Sequence, residues 1–172
     1  MFLAIAAVMA LFGCGGGGGG GGGTPAPPTT ATLKLSSQGT AGTNIRGIEV
    51  TVVLPKGVTV AATTTVDPAV METNAGVVLL SGATVADPAA FGQLKPIASY
   101  TPATGTSPGK VKIGLAAQKD FSLGEFVTLN TVIAAGNLPV ATDFSLEEFT
   151  AFDQNGAAIT PALTPSFVAD IR

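Results

Sequence analysis

The chain has no histidine and no tryptophan, one cysteine and one tyrosine, and charged residues fill only 11% of its 172 positions. Each shortage removes a class of function. Without histidine there is no imidazole to act as the usual general base near neutral pH. The Ser-His-Asp and Cys-His nucleophilic arrangements are therefore excluded, and so is the commonest transition-metal ligand. The lone cysteine, Cys14, permits no intramolecular disulfide, so a folded domain must stand on packing alone. Eight basic against eleven acidic residues give a net charge of -3. That leaves no basic stripe to follow a phosphate backbone, and nucleic acid is set aside as a partner. Sugar-binding sandwiches commonly stack Trp or Tyr on the sugar ring; here Tyr100 is the only such residue, and the nine Phe read more simply as core.

What the chain does have begins with an apolar run, residues 2–11, that ends in Leu11-Phe12-Gly13-Cys14. No Lys or Arg precedes it, the first basic residue being Lys34. About 20 apolar residues are needed to cross a bilayer as a helix, so the run is too short to span and reads as a signal-peptide core. Nine consecutive glycines follow, Gly15 to Gly23. Each would lose the most backbone freedom of any residue on ordering, so the run reads as a flexible leash. Thr24-Pro25-Ala26-Pro27-Pro28-Thr29-Thr30 adds a stiffer spacer of polyproline type.

The segment around Cys14 resembles the lipobox of bacterial lipoproteins. The resemblance implies acylation of the Cys14 thiol, cleavage before it and acylation of the new amino terminus. The expected organisation is a signal peptide at 1–13, a lipidated Cys14 with its linker at 14–30, and one domain at 31–172. The expected place is the bacterial cell envelope, anchored to a membrane and facing the periplasm or the exterior.

The segment 31–172 has the size of one domain. Gly, Ala, Thr and Val dominate it, with Asp-Pro, Asn-Gly and Pro-Gly punctuation, and Lys, Arg and Glu are too sparse to furnish solvated helix faces. This is β-sandwich composition. Residues 32–36 alternate as a strand and 37–43 read as a break. Residues 45–54 place Ile48, Val50, Val52 and Leu54 on one face, with Glu49 and Thr51 on the other. Residues 57–61 may start a further strand. The run Val77-Val78-Leu79-Leu80 fits a strand buried on both sides, and 89–94 fits one helical turn. Residues 94–101 make a strand with Pro96 at a sheet edge or at the strand's start. Val111, Ile113 and Leu115 then alternate with Lys110, Lys112 and Gly114. Val127, Leu129, Thr131 and Ile133 alternate with Phe126, Thr128, Asn130 and Val132. Further strands are expected at 144–152, 157–159 and 166–171, the first two joined by a hairpin turn at Asp153-Gln154-Asn155-Gly156. The expected total is about eight or nine strands.

The order of these segments resembles the cohesin module of bacterial scaffoldins. The resemblance is carried by Ile45-Arg46-Gly47-Ile48-Glu49-Val50-Thr51-Val52, by Gly109-Lys110-Val111-Lys112-Ile113-Gly114-Leu115-Ala116, by Gly124-Glu125-Phe126-Val127-Thr128-Leu129 and by residues 149–159. It implies an all-β, two-sheet β-sandwich of jelly-roll type, whose flat outer face binds a dockerin.

The expected function is accordingly a non-catalytic protein-binding module, its partner a dockerin-like or other envelope protein. The alternative is a carbohydrate-binding or adhesive envelope lipoprotein with a polysaccharide partner. Neither a cofactor nor a metal is expected. By alternation alone the outward candidates for partner binding are Lys110, Lys112, Phe126, Thr128 and Asn130; two are cationic, which points to an acidic partner. Glu147-Glu148 is the densest acidic spot, yet adjacent strand residues face opposite ways, so the pair is not expected to flank one bond. Asp153-Gln154-Asn155-Gly156 lacks the remaining ligands of a calcium loop and reads as a turn.

Overall fold

The computed structural model describes residues 26–40, 44–64, 69–86 and 96–172. Cys14, the glycine run, Asp67-Pro68, Asp87-Pro88 and the helical turn at 89–94 lie outside them. The described elements are β1 (Thr30–Gly39), β2 (Ile45–Leu54), β3 (Val58–Thr59), β4 (Ala62–Thr64), β5 (Met71–Thr73) and β6 (Val78–Leu80). A single helical turn, α1 (Ala83–Ala86), precedes β7 (Ile97–Thr101), β8 (Gly109–Phe121), β9 (Gly124–Ile133), β10 (Ser145–Phe152) and β11 (Leu163–Ile171).

The strands form two antiparallel sheets packed as a sandwich. One runs β11-β1-β9, with β3 and β6 following each other along the far edge of β9; the other runs β10-β2-β8-β7-β5-β4. Among the described residues there are eleven strands rather than eight or nine. The excess lies in β3 to β6, two or three residues each, which are too short to show a period in sequence. Among the described helices none is long and apolar enough to cross a membrane.

Alternation builds the core as expected. Ile48, Val50, Val52, Val111, Ile113 and Leu115 from the six-stranded sheet meet Val127, Leu129 and Ile133 from the five-stranded one, all at 6% exposure or less. Each such side chain contributes about 1.5–3 kcal/mol on burial. β1 continues past Ser36 to Gly39, because β11 and β9 pair with it on both sides as far as Ser37. The expected break at Ser37 is thus corrected. β6 is corrected too: Leu79 is 45% exposed, since β6 lies at a sheet margin with only one face on the core. Pro96 stands just before β7, where its missing N–H costs no ladder bond.

Three irregularities interrupt the alternation. β9 gains a residue opposite β1 at Phe126, where Leu35 pairs with Val127 but Ser36 pairs with Glu125. β10 gains one opposite β2, where Thr51 pairs with Glu147 but Glu49 pairs with Thr150. β8 makes a larger excursion at residues 117–120, between the pairs Gly47 with Ala116 and Ile45 with Phe121. Arg46 pins that excursion through Nε to Asp120 Oδ1 at 2.8 Å and a second bond to the Gln118 carbonyl at 2.9 Å. A bulge shifts which residues share a face beyond it.

The two ends of the sandwich differ. At one end β1 enters beside β11 and β9, with the N–H groups of Thr29 and Thr30 donating to the Arg172 carbonyl at 2.6 and 2.9 Å, and Ile133 N–H donating to the Thr29 carbonyl at 2.8 Å. The turn at 55–57 and the loop at 134–140 stand at this entry end, joined by Ala134 N–H to the Gly57 carbonyl. α1 and the turn at 153–156 lie at the opposite end.

Candidate functional site

The five outward candidates do not form one patch. Lys110 and Lys112 sit on β8, facing out from the six-stranded sheet, whereas Thr128 and Asn130 sit on β9 in the other sheet. Phe126 faces no solvent at all: it is 1% exposed and belongs to the core cluster. The β9 bulge places it beside Val127 out of alternation, and α1 closes over that stretch, with Thr84 Oγ1 donating to the Phe126 carbonyl at 2.9 Å. Asn130 is committed to structure. Its Oδ1 accepts from Thr32 Oγ1 at 3.2 Å and its Nδ2 donates to the Gly76 carbonyl at 2.9 Å.

The outer face of the six-stranded sheet carries the charge. Register aligns Glu147, Thr51, Lys112, Ser99, Glu72 and Thr63 in one row across all six strands. Lys110 Nζ bonds Glu147 Oε2 at 2.8 Å, and Lys112 Nζ lies 4.0 Å from Glu49 Oε2. The hydrogen bond to Glu147, then that residue's charge and that of Glu148, raise the Lys110 pKa above its ordinary value. With Glu49, Glu72, Glu147 and Glu148 against two lysines, this face is acidic on balance. The acidic partner expected from the lysines alone is therefore corrected: the face suits a basic one.

Glu147 and Glu148 overturn a second expectation. The bulge puts Glu148 at φ +50°, a left-handed conformation that disfavours side chains, and it turns both carboxylates to the same face. Glu147 reaches Lys110, and Glu148 Oε2 accepts from Thr51 Oγ1 at 3.0 Å. No sequence signal such as a glycine marks this bulge.

Toward the end away from chain entry, this face hollows into a groove of about 500 Å³. Its floor is Gly47 and Gly114, and its sides include Arg46, Glu49, Ile97 and Phe152. Glycine makes the floor because β8 alternates Lys110, Lys112, Gly114 outward, leaving one outward position empty. A Cβ on Gly114 would meet nothing nearer than the Ile97 carbonyl oxygen at 3.9 Å. Ile97 pairs directly with Gly114 and is 79% exposed, a large apolar side chain left in water beside a vacant position. Gly114 was readable as outward in the sequence; that Ile97, Arg46 and Phe152 surround it was not, because they come from other strands.

The turn at 153–156 borders the groove. Asp153 Oδ1 accepts from the N–H groups of Ala157 at 2.9 Å and Asn155 at 2.8 Å. These bonds hold its carboxyl below the usual carboxylate range. Both oxygen-bound protons come from backbone, as in an Asx turn. Among the described residues no cluster of three or more Cys, Asp or Glu could hold a metal ion. Among the described aromatics, Tyr100, Phe121, Phe126 and Phe144 are buried and Phe149, Phe152 and Phe167 are half-buried, so none stands out as a stacking platform. Comparison with family models, curated proteins and solved structures finds no significant match to the chain.

Proposed function

We propose that the chain is a membrane-anchored extracytoplasmic lipoprotein whose β-sandwich is a non-catalytic protein-binding module. It binds through the outer face of the six-stranded sheet. The observation that carries this reading is the glycine-floored groove with Ile97 exposed beside Gly114 and a rim of both charge signs. A vacant outward position next to an exposed aliphatic can receive a partner's apolar side chain, while the acidic surround selects basic neighbours and sets orientation. The all-β sandwich agrees with the fold that the cohesin resemblance implies, and a dockerin-like protein is the first partner to try. Two acyl chains on Cys14 would make membrane release slow, since each buried CH₂ contributes about 0.8 kcal/mol.

Two experiments test the two halves. Capture from the source cell's envelope with the full chain should return a protein that a Gly114→Val chain fails to hold. Equal capture by both chains rejects the groove. Cys14→Ser should move the protein to the soluble fraction or block its processing, and unchanged fractionation with unchanged mass rejects the anchor.

A further inference from the structure

We infer that the loop at residues 134–140 seats its apex, Leu138-Pro139-Val140, in the surface of a neutral lipid bilayer. The inference rests on the anchoring reading for its cellular setting and on different residues for its geometry. Leu138 is 71% exposed and Val140 55%. Both are held rather than loose. On one flank Asn137 donates from its backbone N–H and from Nδ2 to the Ala134 carbonyl, at 3.1 and 3.0 Å. On the other flank the Val140 N–H donates to Asp143 Oδ2 at 2.8 Å. Asn137 also packs so closely over Gly57 that a Cβ there would lie 2.1 Å from its side chain. A loop pinned on both sides presents its two aliphatic side chains without a large ordering cost at contact.

The occupant follows from where the chain enters. Residues 1–25, which include Cys14, lead into the sandwich at Thr29 and Thr30, and Ile133, the residue before the loop, donates to the Thr29 carbonyl. Any surface that holds Cys14 is thereby brought to this end first. α1 lies at the other end of β9, about 20–25 Å away at 3.3 Å per residue. The charges nearby cancel in pairs: Arg172 with Asp170 and Lys110 with Glu147. Lys56 stands against Asp143, whose carboxylate already caps Val140. That balance fits a zwitterionic lipid surface rather than an anionic one. It also sets the groove, toward the far end of the six-stranded sheet, away from the membrane.

The absence of tryptophan supplies a clean probe. Leu138→Trp gives the full chain a sole tryptophan at the apex, and Val85→Trp gives one at the opposite end, where Val85 is 52% exposed. Coupling Cys14, the only thiol, to a maleimide lipid in phosphatidylcholine vesicles with brominated chains imposes the tether, whether or not the cell acylates it. An apex seated about 5–10 Å into the interface should make L138W emission shift to the blue and lose roughly half its intensity, with V85W unchanged. Equal emission from the two variants overturns the inference, including the case in which a protein partner covers the loop. Cys14→Ser fractionation in cells fails or succeeds separately and bears on the anchor alone.

Discussion

Thr51 Oγ1 donates to Glu148 Oε2 at 3.0 Å, across a bulge that holds Glu148 at φ +50°. One hydrogen bond thus accompanies a backbone conformation that costs an L-residue about 1–2 kcal/mol. The two effects can be separated. Glu148→Ala loses the bond and keeps the strain, whereas Glu148→Gly loses both. Chemical denaturation should find the Gly variant more stable than the Ala variant by about 1 kcal/mol; the reverse order would mean that the bulge is not left-handed in solution.

The core carries the fold. Ile113 and Leu129 are fully buried on facing sheets, so truncating either to Ala should cost roughly 2–5 kcal/mol. Urea titration followed by circular dichroism measures it, and a loss under 1 kcal/mol at both sites would contradict the packing.

Ser37 is 1% exposed and its Oγ has no hydrogen-bond partner. An unpaired buried hydroxyl costs about 1–3 kcal/mol. Ser37→Ala should therefore leave stability unchanged or raise it by about 1 kcal/mol, read as a shift in the denaturation midpoint at constant slope. Marked destabilisation would reveal a partner for the hydroxyl.

Gly114→Val should fold at least as well as the wild type, because the space over Gly114 is open and replacing glycine restricts the unfolded chain by about 0.4–1 kcal/mol. Partner binding should fall, since the new side chain fills the groove. Replacing Lys110 and Lys112 together by Ser should strengthen attraction for a basic partner and steepen its salt dependence. Weaker binding by the double variant would restore the acidic partner.

Asp153 titrates below the usual carboxylate range because Ala157 and Asn155 donate to it. A carboxyl with a lowered folded pKa stabilises the fold above its unfolded pKa, and that contribution is lost as pH falls through the lowered value. Asp153→Asn should thus be less stable than wild type at neutral pH and converge with it in acid. Parallel stability curves would show that the turn makes no such contribution.

The sequence by itself determined which side chains face inward. Side-chain direction alternates within each strand as a local property, so Val111, Ile113 and Leu115, or Val127 and Leu129, could be placed in a core with no knowledge of their neighbours. The all-β class followed from the same pattern together with the scarcity of charge. Which outward residues stand together was decided only by tertiary structure. Lys110 and Asn130 are outward alike, yet they belong to opposite sheets; Lys110 meets Glu147 from 37 residues away. Phe126 and Glu148 defied alternation because each lies at a bulge, where one strand holds an extra residue relative to its partner. A bulge is a mismatch between two strands, so neither strand's own sequence contains it. The groove has the same origin: Gly114 leaves a gap that any reader of β8 can see, but only the pairing of β8 with β7 and β2 makes that gap a cleft.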